Sequence, residues 1–536
     1  MGMNNRNLRR DRWLVLALAL IVRGLAALPQ TQPNYMDAAY YLASGQRLAQ
    51  GYGFNDAYVW HYLDQPTALP HPSHLYWMPL PSILVAISQS IFGVTYHAAQ
   101  LPFVLLASLL PLIAYTIAWR VSASRRHAWI AALLTIFSGF YLPYWGVPES
   151  FAPFAVFGSF ALLLSSQVIN HGRSWRLMVA GICAGLAHLS RADGVLLLIA
   201  AFANAGYTLR TTQPAVPLRS RAGVIVYIRY CGAILLGYMI IMTPWFMRNI
   251  SVIGAPLSSA GTQAAWVCSY DELFSFNAHL DLNHLIGCGI DRVVLTRLNG
   301  IASGVLHLIA ESGQIFLAPL IAIGLWRLRR QALFCGAILY LGMMFVAMML
   351  VFTFAGERGG VFHSSSALLP FFYTAAPIGL DAVVGWIAAR RKTWKAALAR
   401  SIFSIALIGL AMALSLIVWY GRVIGSNVSD PIWNQADRVY GSIGQWLRDR
   451  GEADPIVMTN NPPDFYYQTG LRSIMIPNGD VDTLLAAARQ FGAEWIALDD
   501  NRPTPLAGLY TDPGSDPRFE VREVFGPVIM LEIMPN

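Results

Sequence analysis

Apolar residues in this chain run in long unbroken stretches rather than in short periodic faces. Residues 101–119, 334–354 and 402–420 are each close to the roughly 20 apolar residues that a helix needs to cross a bilayer core. Arginines gather in short segments between such stretches, at 6–12, 120–126, 173–176, 210–229, 327–330 and 390–400. Between consecutive clusters there is room for two spans, which puts every cluster on one face. Cytoplasmic loops are enriched in Lys and Arg, so that face is assigned to the cytoplasm. The pattern predicts a mainly α, polytopic transmembrane bundle of about eleven helices, at about 13–29, 98–119, 127–143, 150–169, 175–190, 194–209, 229–247, 305–326, 332–354, 367–389 and 401–421. The N-terminus is then inside and the C-terminus outside. The Arg-rich start with its apolar run resembles a secretory signal. Arg23 interrupts that run, which favours retention as an anchor.

Two loops on the outer face are long, at about 30–97 and 250–304. They are rich in Tyr, Trp, His and Pro, a composition unlike that of disordered chain. Within them, 81–92 and 291–306 read as helices lying at the interface. From about residue 427 charged and polar positions return. A helix at 434–450, strands at 455–459, 472–476 and 494–498, a helix at 481–491 and a closing strand pair at 519–524 and 528–533 predict a small outer α/β domain. The expected division is 1–425 for the membrane domain with its loops and 426–536 for the tail.

Composition supports the same class. Of 536 residues 56% are hydrophobic and 12% charged, with a mean hydropathy of +0.48, whereas soluble domains carry about 25% charged residues. The net charge of +8 is almost entirely arginine, the lysines being Lys392 and Lys395. These charges sit in short loops with no aromatic-interleaved basic face, which excludes a nucleic-acid partner. Cys183, Cys231 and Cys335 fall in or near spans. Cys268 and Cys288 share the second outer loop, where a disulfide and two unrelated thiols remain equal alternatives.

The acids Asp37, Asp56, Asp64 and Glu149 all fall on the outer side. Asp37 lies eight residues past the first span, at a depth where partial desolvation makes a carboxylate a better base. The alternative role is a helix-capping acid. A transporter or lipid flippase is the competing class. Such proteins show internal repeats and mid-membrane polar sites, whereas here no repeat is detectable and Asp381 is the main acid inside a span.

Several segments carry a family resemblance. Met36-Asp37, then Tyr40-Tyr41-Leu42-Ala43 and a later Gly51-Tyr52-Gly53-Phe54, follow the first span. Tyr76-Trp77-Met78-Pro79-Leu80-Pro81 closes the first loop, and Pro148-Glu149-Ser150-Phe151 opens the fourth span. Gly185 to Gly194 forms a glycine-bounded turn around Arg191, and Thr243-Pro244-Trp245-Phe246-Met247-Arg248-Asn249 ends the seventh span. Together, over about residues 13–420, these resemble the GT-C glycosyltransferases, which include protein O-mannosyltransferases and bacterial aminoarabinose transferases. The resemblance implies transfer of a sugar from a polyprenyl-phosphate carrier to an acceptor hydroxyl of a protein, lipid or glycan on the outer side. It implies Asp37 as general base and Glu149 as a second acid in the cavity, and a single displacement would invert the anomeric centre. Arg248, Arg191 and Arg358 are the candidates for the phosphate, since arginine stays charged and can bind two oxygens at once. His71, His74, Tyr40 and Tyr41 are candidates for substrate contact. No cofactor is firmly implied, although His71 and His74 with nearby carboxylates suit a divalent metal. Relatives carrying a lysine near this place have no counterpart here.

Overall fold

The computed structural model describes residues 5–166, 175–212, 219–391, 393–436 and 438–534. Arg173 and Lys392, counted above among the basic clusters, lie outside them. The chain folds as two compact units. One comprises Met1–Pro29, Gln100–Arg248 and Arg297–Ser426, and the other Gln30–Ala99, Asn249–Thr296 and Asn427–Asn536.

The chain is mainly helical. Among the described residues seven helices are long and apolar enough to cross a membrane: Tyr96–Ser122, Ala192–Thr211, Arg221–Ile253, Ile290–Ser312, Ala332–Val351, Thr353–Ala388 and Ala396–Ile424. Four shorter apolar helices accompany them: Leu80–Phe92, Phe151–Ser165, Trp175–Ser190 and Ala318–Leu328. The chain is a multi-pass membrane protein. Three of the expected spans take a different form. The first is the helix Asn5–Ala27, which carries Arg6, Arg9, Arg10, Asp11, Arg12 and Arg23 and so is too charged to meet the same criterion. The expected helix at 127–143 stops at Ile136, and Gly139, at φ +61°, begins a 3-10 segment to Tyr144. The expected span at 305–326 is broken. Gln314 and Ile315 take positive φ, 45° and 59°, and a second helix starts at Ala318 with proline in its first turn.

Within the first unit, helix Trp175–Ser190 meets helix Arg221–Ile253 through glycines. A Cβ on Gly181 would lie 1.9 Å from the Ile234 carbonyl oxygen, and one on Gly237 would lie 2.0 Å from that of Met178. Small residues let helix backbones approach this closely in a membrane protein. His188 and Tyr238 hydrogen-bond across the same interface, Nδ1 to OH, at 2.6 Å. Asp11, fully buried, and Asp381, partly buried, are matched to bases. Asp11 accepts from Arg125 Nε at 2.6 Å and from Tyr115 and Trp129, and Asp381 accepts from Arg126 beside His127.

The second unit is built on a six-stranded sheet. Its order is Tyr58–Val59, Ser473–Met475, Val457–Thr459, Trp495–Leu498, Val528–Ile533, Phe519–Phe525. The first four strands are parallel and the last two pair antiparallel. Three-residue strands with every position buried suit a sheet covered on both faces. Helices Val439–Asp449, Pro462–Thr469 and Val481–Phe491 supply that cover. The tail's expected strands and its helix at 481–491 appear nearly as read. The division at 425/426 differs in what joins the tail. Loop residues Tyr58 and Val59 pair with Ser473 and Ile474, and Tyr62 OH donates to the Met475 carbonyl at 2.5 Å. Both outer loops therefore fold with the tail. Cys268 and Cys288 are joined by a disulfide, which resolves the alternative left open above.

Candidate active site

Helix Met36–Ala49 opens the first loop. Tyr35 occupies its N-cap position in extended conformation, so Asp37 sits in the first turn rather than at the cap. A half-buried carboxylate there is favoured by the positive end of the helix. The turns that follow Asp37 are locked by side-chain contacts. Ser44 Oγ donates to Asp56 Oδ1 at 2.7 Å and lies 2.7 Å from Tyr58 OH. Arg47 donates to Asn55 and, at 2.8 Å, to Tyr466 OH. Tyr40 and Tyr41, each 2% exposed, are enclosed by Tyr58, Trp60, His74 and Trp77. Tyr40 OH accepts from the His74 backbone N–H at 2.7 Å, and Trp60 stacks on Trp77 with centroids 3.8 Å apart. The rings expected to meet a sugar are thus packed against protein, where they hold the Asp37 helix.

His71 and His74 are packed in the same way. His71 Nε2 pairs with Asp64 Oδ2 at 2.8 Å, and His74, 3% exposed, takes a positive φ with its ring beside Tyr40 and Phe54. Among the described residues neither belongs to a group offering three ligand atoms to one ion. The polar cavity lined by Tyr40, Asp56, His61, Asp64, His71 and His74 measures about 10 Å³, room for about one water. Burial pushes the Asp56 carboxyl up to about 6, against hydrogen bonding from Ser44. Burial also pushes His61 down to about 4 despite Asp64. Burial alone would raise Asp64, but His61 and His71 outweigh it and hold it below the usual range.

In the first unit the centre is Glu149, 1% exposed, just ahead of helix Phe151–Ser165. It accepts from Ser150 Oγ at 2.7 Å and from the Phe151 N–H at 3.3 Å, so it caps the helix as well. Its Oε1 faces His363 Nε2 at 3.1 Å. The His363 ring stacks on Phe151 at 3.9 Å, and its Nδ1 lies 2.8 Å from the Gly359 carbonyl. A carbonyl only accepts, so Nδ1 carries a proton. Nε2 then either carries a second one toward Glu149 or presents a lone pair beside a carboxylate. The first is an ion pair; the second is half of a nitrogen–oxygen ligand set of the kind zinc and manganese take. Desolvation would raise Glu149, but His363, Ser150 and Arg191 overcome it and hold its carboxyl below the usual range.

Arg191 Nε is tied to Asp193 Oδ1 at 3.0 Å, and the other oxygen of Asp193 accepts from Ser364 Oγ at 2.5 Å. Its positive charge is therefore shared with a carboxylate two residues away. Arg248 lies over the Trp245 ring at 4.9 Å, and Arg358 is exposed beside Gly359, which takes φ +108°. The sequence reading placed Glu149 in the cavity and missed its partner, since 214 residues separate it from His363. The Arg191–Asp193 pair was not read either, although the two residues flank a single alanine.

Residues 70–251, about a third of the chain, match the family described as dolichyl-phosphate-mannose-protein mannosyltransferase. No curated protein sequence matches it. Among solved structures, ArnT from Cupriavidus metallidurans in the apo state superposes with a TM-score of 0.57 at 11% identity, over 97% of each chain. The chain has the GT-C fold. The same ArnT bound to undecaprenyl phosphate gives a TM-score of 0.51 at 13% identity, again over 97% of both chains. The Archaeoglobus fulgidus oligosaccharyltransferase in complex with Zn and sulfate gives 0.56 at 14% identity, over 94% of this chain and 69% of that one.

Proposed function

We propose that this protein is a glycosyltransferase that moves a sugar from a polyprenyl-phosphate donor to an acceptor hydroxyl on the extracytoplasmic side. The observation that carries the reading is Glu149, a fully buried carboxylate held by His363, the Ser150 hydroxyl and the Phe151 N–H within a GT-C fold. A membrane helix bundle does not retain a buried acid cheaply, and one gripped from three directions marks a site. ArnT, whose fold this chain shares, is described bound to undecaprenyl phosphate, which supports a lipid-phosphate donor.

Asp37 is the general base in this reading. The acceptor oxygen attacks the anomeric carbon as its proton passes to the Asp37 carboxylate. The bond from that carbon to the phosphate oxygen breaks, and polyprenyl phosphate leaves with the electron pair. Phosphate is a good leaving group, so the protein need only stabilise its charge, the task assigned to Arg248 and Arg358. Arg191 contributes through Ser150 and Glu149 rather than as an unshared cation. One displacement inverts the configuration. Glu149 and His363 are the ligands that would hold a divalent cation, which would supply charge stabilisation for the acceptor or the phosphate.

The test uses the full-length protein in lipid nanodiscs, with a panel of labelled polyprenyl-phosphate sugars and an envelope extract as acceptor. Wild-type protein transfers label from one donor, and Asp37→Asn lowers the rate by about 10² to 10⁴, the range of general-base contributions. Full activity in Asp37→Asn would refute the mechanism. No transfer from any donor by the wild type would refute the reaction class.

A further inference from the structure

Among the described residues no acid forms an ion pair with Arg23, a cation of the first helix. Arg23 is 1% exposed, so it does not reach for the membrane interface as span-end arginines do. One of its nitrogens, Nη2, donates to the Thr135 carbonyl at 2.7 Å, and its Cζ lies 5.0 Å from the centre of the Trp145 ring. Its Nε and Nη1 are buried and have no hydrogen-bond partner among the described residues. A buried unpaired cation is costly, and inside a membrane protein its retention points to a function.

These two contacts fall at the two ends of one short connection. Thr135 lies in the last turn of helix Arg125–Ile136, where carbonyls lack intrahelical donors and carry partial negative charge. Trp145 is fully buried, four residues before Glu149, and its Nε1 donates to Ser138 Oγ at 2.8 Å. The rest of the connection is pinned by side chains too. Phe137 O accepts from Gln314 at 3.0 Å, and Gly139 N donates to Ser415 Oγ at 2.8 Å. One turn beyond Arg23, Ala27 presses on the same segment. A Cβ on Gly146 would lie 2.7 Å from the Ala27 Cβ. Residues four apart share a helix face, so one face of the first helix grips both ends of the path from Thr135 to Glu149.

We infer that Arg23 is a positioning residue for Glu149: its guanidinium fixes the 137–149 connection by joining the carbonyl where the connection begins to the ring near its end. The inference rests on Glu149 belonging to the site, and its first test does not use sugar transfer. Hydrogen exchange is followed by mass spectrometry on the full-length protein in nanodiscs, comparing wild type with Arg23→Met, which keeps the stem and removes the head, and with Arg23→Lys. Peptides from 137–150 exchange at least tenfold faster in Arg23→Met and by an intermediate factor in Arg23→Lys, while peptides from 175–190 are unchanged. Unchanged exchange at 137–150 overturns the inference, as does uniform acceleration everywhere.

Activity then separates positioning from general stability. Arg23→Met lowers kcat at least tenfold with KM for the donor within twofold, and adds no further loss in a Glu149→Gln background. An equal loss in both backgrounds overturns the inference. If Arg23→Met does not fold, Gly146→Ala decides. It forces the connection away from Ala27 without touching Arg23, and must raise exchange at 137–150 and lower kcat; failure of either overturns the proposal. Wild-type inactivity toward every donor counts against the proposed reaction alone, since the exchange result stands independently.

Discussion

Asp56 is a carboxylic acid that weakens the fold when it ionises. It lies 3% exposed beneath the Asp37 helix, bonded to Ser44, and burial lifts its folded-state value from 3.8 to about 6. A group whose folded value exceeds its unfolded one holds its proton more tightly in the folded state. The linked stabilisation is therefore fully present below about pH 4 and is lost as the pH climbs to about 6. At about 1.4 kcal/mol per tenfold change, the loss above pH 6 is about 3 kcal/mol. Asp56→Asn cannot ionise and keeps an oxygen for the Ser44 hydroxyl. The variant should therefore be more stable than the wild type at pH 7.5, by up to that amount, and equal to it at pH 4. Hydrogen exchange in peptides covering 36–49 and 55–62, corrected for the intrinsic pH dependence, reads the local opening equilibrium directly. The expected result is exchange up to about a hundredfold slower in the variant at pH 7.5, with no difference at pH 4. A variant that exchanges faster at pH 7.5, or slower by the same factor at both pH values, would refute the reasoning.

Three further outcomes follow from the geometry. Gly237→Leu drives a side chain into the Met178 carbonyl and should cost roughly 1–3 kcal/mol or more by overpacking, seen as a lower thermal midpoint in detergent. A Cβ on Gly232 of the same helix meets nothing within 4 Å among the described residues, and Gly232→Leu should leave the midpoint unchanged. Cys268→Ser opens a loop with a sequence separation of 20, worth about 3 kcal/mol by chain entropy, and should make residues 250–296 sensitive to protease in a way that reductant reproduces in the wild type. His363→Phe keeps the stack on Phe151 and strands the buried Glu149 carboxylate. Transfer should fall at least tenfold, and His363→Gln, which can still donate to Glu149, should retain more of it.

The membrane class was legible because apolar runs and arginine clusters are local signals. Helix Trp175–Ser190 was placed to the residue, although its neighbour is a short span with a charged turn. The breaks at 137–139 and 313–317 were not, because hydropathy does not register a positive φ at Gly139 or Gln314. In the tail, helix Val481–Phe491 has the bounds read from the sequence, and the structure shows Asp480 capping its start and Gly492 its end. The strand Tyr58–Val59 gave no such sign, since two residues cannot show alternation and its partner lies in the last fifth of the chain. Asp37 and Glu149 were proposed from motif order. The burial of Tyr40, Tyr41 and His74 was not, because an aromatic residue in an outer loop reads the same whether it meets a sugar or another ring.

The pairing of Tyr58 with Ser473 also sets a timetable for synthesis. The ribosome finishes the first loop roughly 400 residues before it makes the strand that completes it. At about 5–20 residues per second that is roughly 20–80 seconds. Through that interval the segment carrying Asp37 has been delivered without the sheet that it joins. A chain interrupted in its final hundred residues would keep every membrane-crossing helix and still lack the support for its proposed base. The tail is thus a late checkpoint of assembly, and a product truncated before Ser473 should be inserted yet inert.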